Sequence, residues 1–320
     1  MIDISYDTTP EYYLDYKKSL ELLKSINDDD YDYPEEKVQF HIYTEIKNEM
    51  ELMAIKSYLA TQNLDKTELT VWSDWDITDN PLIQPYKDLV SFCVYDAKEV
   101  SIGTPLEGFP LIESKDNFHY LTSDLARVMF LWKTGGVWYD MDVVLLRDFK
   151  PLFDQEYMYM WGSAVEFATY GACATVLGLD KQSEFATELL REISITRPIP
   201  DTASWSKDGV YKNLYKRYKY PVLPSAFFNT EWQILSDDDW SDPAQPNNAV
   251  RYPKEEKPSE DYWFQKPLEN KDQLFLDAFS WHWHNGGGRL SVDKITEGSK
   301  FDILSKYIDN KLKEKGIPLA

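Results

Sequence analysis

The order of apolar and polar residues divides this chain into recognisable elements. VQFHIYTE, from Val38, is rich in β-branched and aromatic residues and predicts a strand. KNEMELMAIKSYLATQ (47–62) places Met50, Leu52, Met53, Ile55, Tyr58 and Leu59 at helical spacing. ELTVWSD (68–74) predicts a second strand. LVSFCVYD (89–96) predicts a third, and its near-continuous apolar run points to a central position. Strand–helix–strand alternation of this kind predicts an α/β fold with a parallel sheet and crossover helices. Residues 97–122 read as loop and turn, 181–195 and 208–218 as helices, and 221–273, rich in Pro and Asp, as long loops. A last helix is predicted over 299–315. Before Val38, Thr9 and Pro10 can open a helix through about Ile26, and NDDDYDYPEE reads as an exposed linker. The chain thus divides into an acidic segment 1–37, a catalytic-sized domain 38–298 and a C-terminal helix 299–320.

Charge narrows the classes of partner. The formal net charge of −21 over 320 residues is the wrong sign for nucleic acid, which requires a basic face. The same charge argues against a polybasic membrane anchor. No window approaches the roughly 18 apolar residues of a membrane span, and the N-terminus lacks the apolar core of a signal peptide. A cytoplasmic location is the expectation. The two cysteines, Cys93 and Cys173, sit in apolar stretches and read as buried thiols. Aromatic residues make up 15% of the chain, and rings not needed in the core can stack on sugars and bases.

Candidate chemistry concentrates in YLTSDLARVMFLWKTGGVWYDMDVVLLRDFKPL (120–152). Thr122 or Ser123 can cap a helix running to about Lys133, which Thr134-Gly135-Gly136 then stops. Asp124 and Arg127, three apart, share one face of that helix. VWYDMDVVLL then reads as a strand, in which alternation points Asp140 and Asp142 the same way and Met141 the other. Two close carboxylates among apolar residues repel and are costly to bury. A divalent cation with oxygen ligands, Mn²⁺ or Mg²⁺, removes that cost. No glycine-rich phosphate loop is present, so a nucleotide would be held in another way.

Ser123-Asp124, Arg127, Gly135-Gly136, Asp140 and Asp142 together resemble the DXD-containing sugar-transferase family and its pattern S-D-x-x-R … G-G-x-Y-x-D-x-D. That family includes α-1,4-galactosyltransferases, yeast and bacterial α-sugar transferases and, more remotely, the clostridial toxin glucosyltransferases. Trp138 just before Tyr139 departs slightly from its usual aromatic–aliphatic pair. The resemblance implies a GT-A-type, Rossmann-like mixed sheet flanked by helices, in a single domain with helical and loop additions. It also implies a retaining, metal-dependent hexosyl- or pentosyltransferase that uses a nucleoside-diphosphate sugar, UDP before GDP, and a glycan or glycoconjugate acceptor. Asp124, Arg127, Asp140 and Asp142 would then act at the reaction centre. Tyr43, Tyr139, Met141, His284 and Asn285 would join them in holding the donor, with Tyr43 stacking on the base. TVWSD (70–74) resembles the family's second strand. Lys133 would offset negative charge or serve as a helix-end cation, and Glu166, Asp208 and Glu231 would face the acceptor.

Near the end, FSWHWHNGGG (279–288) alternates so that His282 and His284 lie on one side and Trp281 and Trp283 on the other. The resemblance makes this region the source of a further metal ligand, with His282 in the matching frame beside Asn285. The other two histidines, His41 and His119, read as structural. Two further classes are open: a phosphohydrolase of haloacid-dehalogenase type, whose D-x-D-x-[TV] string Asp140-Met141-Asp142-Val143 fits and in which the first Asp is a nucleophile, and a non-catalytic glycan-binding protein on a decayed transferase scaffold.

Overall fold

The strand signal at Val38 becomes β1, Val38–Tyr43, the strand around which the rest of the sheet is laid. The computed structural model describes residues 2, 16–113, 120–160, 171–197, 209–230, 235–236, 251–252, 262–268, 271–284 and 294–319. Helix α1 (Tyr16–Ser25) precedes β1, and α2 (Glu49–Thr61) follows it. The Asn48 side chain starts α2 by accepting from the amides of Met50 and Glu51. Strand β2 (Thr67–Ser73) pairs with β1 in parallel, from Val38 opposite Thr67 to Tyr43 opposite Trp72. Beyond it lies β3 (Ser91–Val94).

The expected α/β architecture is present, and its sheet is mixed. Seven strands run in the order β3-β2-β1-β4-β7-β6-β8, with β4 (Gly136–Tyr139), β6 (Tyr157–Met160), β7 (Ala172–Leu179) and β8 (Val222–Leu223). β4 is parallel to β1 and antiparallel to β7, so the parallel and antiparallel halves meet at β4. Strand β5 (Val143–Leu145) leaves the large sheet and pairs with β11 (Ser280–His282), while β9 (Leu235–Ser236) and β10 (Arg251–Tyr252) form a separate short pair.

Two predictions from apolar pattern are corrected. The run 89–96 gives an edge strand, because only 91–94 are extended and Val94 is 53% exposed. The buried residues of that run, Val90 and Tyr95, belong to the flanking turns, and Cys93 is half-buried. The stretch 97–122 is more ordered than a loop. It holds α3 (Ala97–Ser101), capped by Asp96, and a 3₁₀ turn at Pro110–Glu113. The linker at 27–36 is tied down at two points: Arg147 pairs with Asp28 and bonds the Ile26 carbonyl, and the Tyr33 hydroxyl donates to Asp148.

Helix α4 (Tyr120–Thr134) begins earlier than its predicted cap, so Thr122 and Ser123 lie inside its first turns. It ends as predicted, with the Gly135 amide bonded to Leu131 O at 2.7 Å and Gly135 at φ +72°. Gly136 has no alternative residue. At φ +103°, an added Cβ would lie 2.1 Å from Gln39 O on β1. Three later helices match their predicted positions: α5 (Glu184–Thr196) with Ser183 as cap, α6 (Val210–Arg217) and α8 (Lys300–Glu314) with Ser299 as cap. The stretch 221–273, expected to be long loops, holds the short helix α7 (Tyr262–Gln265) as well as β8, β9 and β10, and the expectation is corrected there. Helix α8 packs on α2, where Lys56 pairs with Asp309 and Lys315 Nζ caps Leu59 O and Gln62 O.

Alternation along β4 separates two apolar clusters. Val137 and Tyr139 join Phe40, Ile42, Tyr58 and Val71 on one side, whereas Trp138 joins Leu125, Met129, Leu177 and Leu189 on the other. His41 sits fully in the second environment. Trp72 Nε1 donates to its Nδ1 at 3.2 Å, so Nε2–H donates to Thr134 Oγ1 at 3.0 Å. Burial lowers its pKa from 6.5 to about 4.

Two outcomes follow from these contacts. Gly136→Ala is expected to lower the urea unfolding free energy by at least about 2 kcal/mol. His41 is neutral when folded, and between pH 6.5 and about 4 the unfolded chain binds the extra proton, so acid withdraws stability in that window. Between pH 7.5 and 5, wild type should lose about 2 kcal/mol more stability in urea titrations than His41→Gln, which keeps a donor and an acceptor there.

Candidate functional site

Strand β4 ends at Tyr139, and the chain then turns. The Asp140 amide bonds Thr175 O on β7 at 2.9 Å, and the Asp140 carbonyl accepts from Val143 N at 3.1 Å. This i to i+3 bond corrects the expectation of a single strand through 146. Val143–Leu146 must reach the apolar cluster beneath α2 and pair with β11, and a straight extension of β4 would not do both. Asp142 lies in that turn, and its carbonyl accepts from Trp283 N at 3.0 Å. The two carboxylates therefore have different neighbours.

Asp140 faces Arg127. Arg127 is 5% exposed. Its Nη1 donates to Ala174 O on β7 at 2.7 Å. Its Nη2 reaches Asp124 Oδ1 at 2.9 Å, Asp140 Oδ1 at 3.0 Å, Asp140 Oδ2 at 3.3 Å and Ser123 Oγ at 3.3 Å. Asp124 and Arg127 thus share the helix face that their spacing predicted. Burial works against the charge on Arg127, yet Asp140 and then Asp124 outweigh it and raise its pKa. Burial raises the pKa of Asp140; Arg127 opposes that shift, Asp142 adds to it, and the Trp138 hydrogen bond lowers it. That bond, from Trp138 Nε1 to Asp140 Oδ1, is 2.6 Å long.

Asp142 faces the C-terminal wall. His282 Nε2 lies 3.4 Å from Asp142 Oδ2, because β11 pairs antiparallel with β5 and sets His282 opposite Val143. The predicted alternation is present: the His282 and His284 rings lie 3.7 Å apart, while Trp281 and Trp283 pack with Phe264 and Phe301 in the core. Behind His282, Nδ1 is 3.5 Å from the Tyr159 hydroxyl, which accepts from the Cys173 thiol at 3.2 Å. His284 has φ +52° and bonds Asn229 Nδ2 through Nε2 at 2.9 Å. Burial, then His282, holds its pKa well below the ordinary value, against the pull of Asp142.

The other candidates separate. Tyr43, at the carboxyl end of β1 on the same sheet edge as Asp140, packs edge-to-face on Tyr95, and its phenol pKa is raised by burial and then by Asp74. Met141 is half-buried in the turn. The Tyr139 ring points into the core, as β4 alternation dictates, and its hydroxyl donates to Ala54 O at 3.2 Å. Lys133 reaches Glu99 O as a helix-end cation. His119, Glu166, Asp208, Glu231 and Asn285 lie outside the described residues. Sequence reasoning missed Trp138, Tyr159, Thr175 and Asn229 as neighbours of the site. Only Trp138 carried a signal, as the departure from the family pattern.

The residues present suit a divalent cation. Two carboxylates, Asp124 and Asp140, meet one guanidinium, and Asp142 adds a third carboxylate that acts on Asp140 and faces His282, so the carboxylates outnumber the guanidinium. Among the described residues no group of three or more His, Cys, Asp or Glu is placed to hold a metal ion. Mg²⁺ and Mn²⁺ do not need one, because they bind through one or two carboxylates and complete their shells with phosphate oxygens and water.

Similar solved structures include the apo form of glycosyltransferase GlyE from Streptococcus pneumoniae TIGR4, at 14% identity and TM-score 0.46, over 89% of this chain and 65% of that one. PaToxG glycosyltransferase is 13% identical at TM-score 0.41, over 64% and 79% of the two chains. Mouse xyloside xylosyltransferase 1 in its apo form is 12% identical at TM-score 0.39, over 70% and 99%. Among curated proteins, no relative matches significantly. The family model described as "Glycosyltransferase sugar-binding region containing DXD motif" matches residues 49–159, which include Asp124, Arg127, Asp140 and Asp142. Over residues 49–159 the chain is therefore similar to the DXD-containing sugar-binding region of glycosyltransferases.

Proposed function

We propose that this protein transfers a sugar from a nucleoside-diphosphate sugar, a UDP-sugar before a GDP-sugar, to a hydroxyl of a glycan or glycoconjugate. The observation that carries this reading is the Asp140–Met141–Asp142 turn, clamped by Arg127 at the carboxyl end of β4 and faced by His282. In parallel α/β sheets, nucleotides bind at this edge of the strands.

Asp142, Asp140 and His282 would hold Mn²⁺ or Mg²⁺ in the loaded protein. That ion supplies Lewis-acid stabilisation of negative charge on the departing diphosphate. Arg127 opposes the rise that burial imposes on the Asp140 pKa, and its contacts set Asp124 and Asp140 against the same wall. Tyr43 with Asp74 marks the neighbouring end of β1 and β2, where the base would rest. Retention at the anomeric carbon rests on the family resemblance alone, as does the choice between hexose and pentose. A haloacid-dehalogenase-type reading fits the geometry less well, because Asp140 Oδ1, on the would-be nucleophile, already accepts from both Trp138 and Arg127.

A screen of nucleotide sugars with Mn²⁺ should show donor hydrolysis or transfer that is abolished by chelation and restored by metal. Asp142→Asn and Asp140→Asn should each lower it by about 100-fold or more. Hydrolysis of simple phosphate esters without use of any sugar nucleotide would replace this reading with the phosphatase one, and donor binding without turnover would leave a binding protein. Arg127→Met leaves Asp124 and Asp140 half-buried without their cation. It should cost about 3–5 kcal/mol of stability in urea titrations.

A further inference from the structure

Arg127 alone does not determine how Asp140 is oriented. Its Nη2 carries two N–H groups and has four acceptor atoms within 3.3 Å, on Asp124, Asp140 and Ser123. A donor shared this way leaves the Asp140 carboxylate free to rotate between equivalent pairings. The Trp138 indole differs, since it has one N–H, no acceptor and a rigid direction. Its Nε1 lies 2.6 Å from Asp140 Oδ1, in the short range of charge-assisted bonds. The ring itself is fully buried. It lies 6.4 Å from Phe130 at 21°, Phe130 stacks on Trp72 at 4.0 Å and 15°, and Trp72 is pinned through Nε1 to His41. Arg127 Cζ sits 5.4 Å from the Trp138 ring centroid on the remaining side.

We infer that Trp138 is a positioning residue for Asp140: its indole N–H, fixed by the His41–Trp72–Phe130 column, holds Oδ1 and leaves Oδ2 as the oxygen that meets the ligand. The assignment deepens the proposed donor site and rests on that reading for its functional consequence, but the contact itself is independent of it. The side chain acts through Asp140 and touches no substrate. Removing the N–H while keeping the ring should therefore loosen the donor site without unfolding the protein.

The cleanest change is site-specific replacement of Trp138 by β-(3-benzothienyl)alanine, which exchanges the N–H for sulfur at nearly constant shape; Trp138→Phe is the genetically encoded second variant. The bond is read first in ¹⁵N-tryptophan-labelled protein. The Trp138 indole proton should resonate downfield and exchange slowly, and it should move upfield in Asp140→Asn. An indole resonance indifferent to Asp140→Asn overturns the inference whether or not any sugar nucleotide is used. The consequence is read by calorimetry with Mn²⁺ and UDP, without turnover. The benzothienyl variant should bind the pair about tenfold or more weakly, with KM for donor raised, KM for acceptor unchanged and the thermal transition still cooperative. Wild-type affinity and donor KM in that variant also overturn the inference. Absence of Mn²⁺–UDP binding in wild type, with the indole resonance responding to Asp140→Asn, removes the donor-site reading and leaves the positioning contact standing.

Discussion

The site depends on one buried cation held between acidic groups. Arg127 projects from α4, crosses to the carbonyl of Ala174 on β7, and meets carboxylates from its own helix and from the turn after β4. Three separate parts of the chain are thereby fixed to one planar group. In a low-dielectric interior such contacts are strong when complete and costly when any member is missing. The cluster is also overcommitted to negative charge, in a protein whose formal charge is already −21. The guanidinium is spent on its own carboxylates, so an anionic donor approaching this wall needs positive charge from elsewhere. Under the proposed function, a divalent cation would meet that requirement and let a strongly acidic protein hold a diphosphate.

The sheet places this cluster by changing direction at β4. On one side of β4 the strands are parallel, which gathers the ends of β1 and β2, with Tyr43 and Asp74, at the same edge as Asp140. On the other side β7 runs antiparallel and provides the Ala174 and Thr175 carbonyls that receive Arg127 and the Asp140 amide. A wholly parallel sheet would have put a different end of its next strand there. The chain then drops into the small β5–β11 sheet, which sets His282 against Asp142.

Much of this was legible in the sequence, for identifiable reasons. β1, α2, β2, α5 and α8 carry clean periodicity or a capping residue, so local preference and tertiary packing agree. The i,i+3 spacing of Asp124 and Arg127 and the His/Trp alternation at 281–284 are geometric consequences of helix and strand, and both hold. The edge position of β3 was not legible, because an apolar run does not say whether its residues lie in the strand or in the turns beside it. The turn at 140–143 was hidden for a similar reason: VWYDMDVVLL is a good strand sequence, and only competition between β7 and β11 for its two halves bends it. Tyr159, Thr175 and Asn229 reach the site through partners distant in sequence, which no local pattern encodes.

The hop from the large sheet to the small one also bears on how the site forms. Tyr159 and His282 are 123 positions apart, and among the described residues β5 has no hydrogen-bonded neighbour in its sheet except β11. Loop-closure entropy makes such distant pairings late events in folding. The clamp of Asp124, Arg127 and Asp140 is assembled within a stretch of local chain and can be in place while the β11 wall is still unpaired. A ligand that bridges Asp142 and His282 would then bind only the finished form and hold it closed by mass action. Donor occupancy and completion of the fold would be two readings of one equilibrium, with the 280–284 segment as the part that reports it.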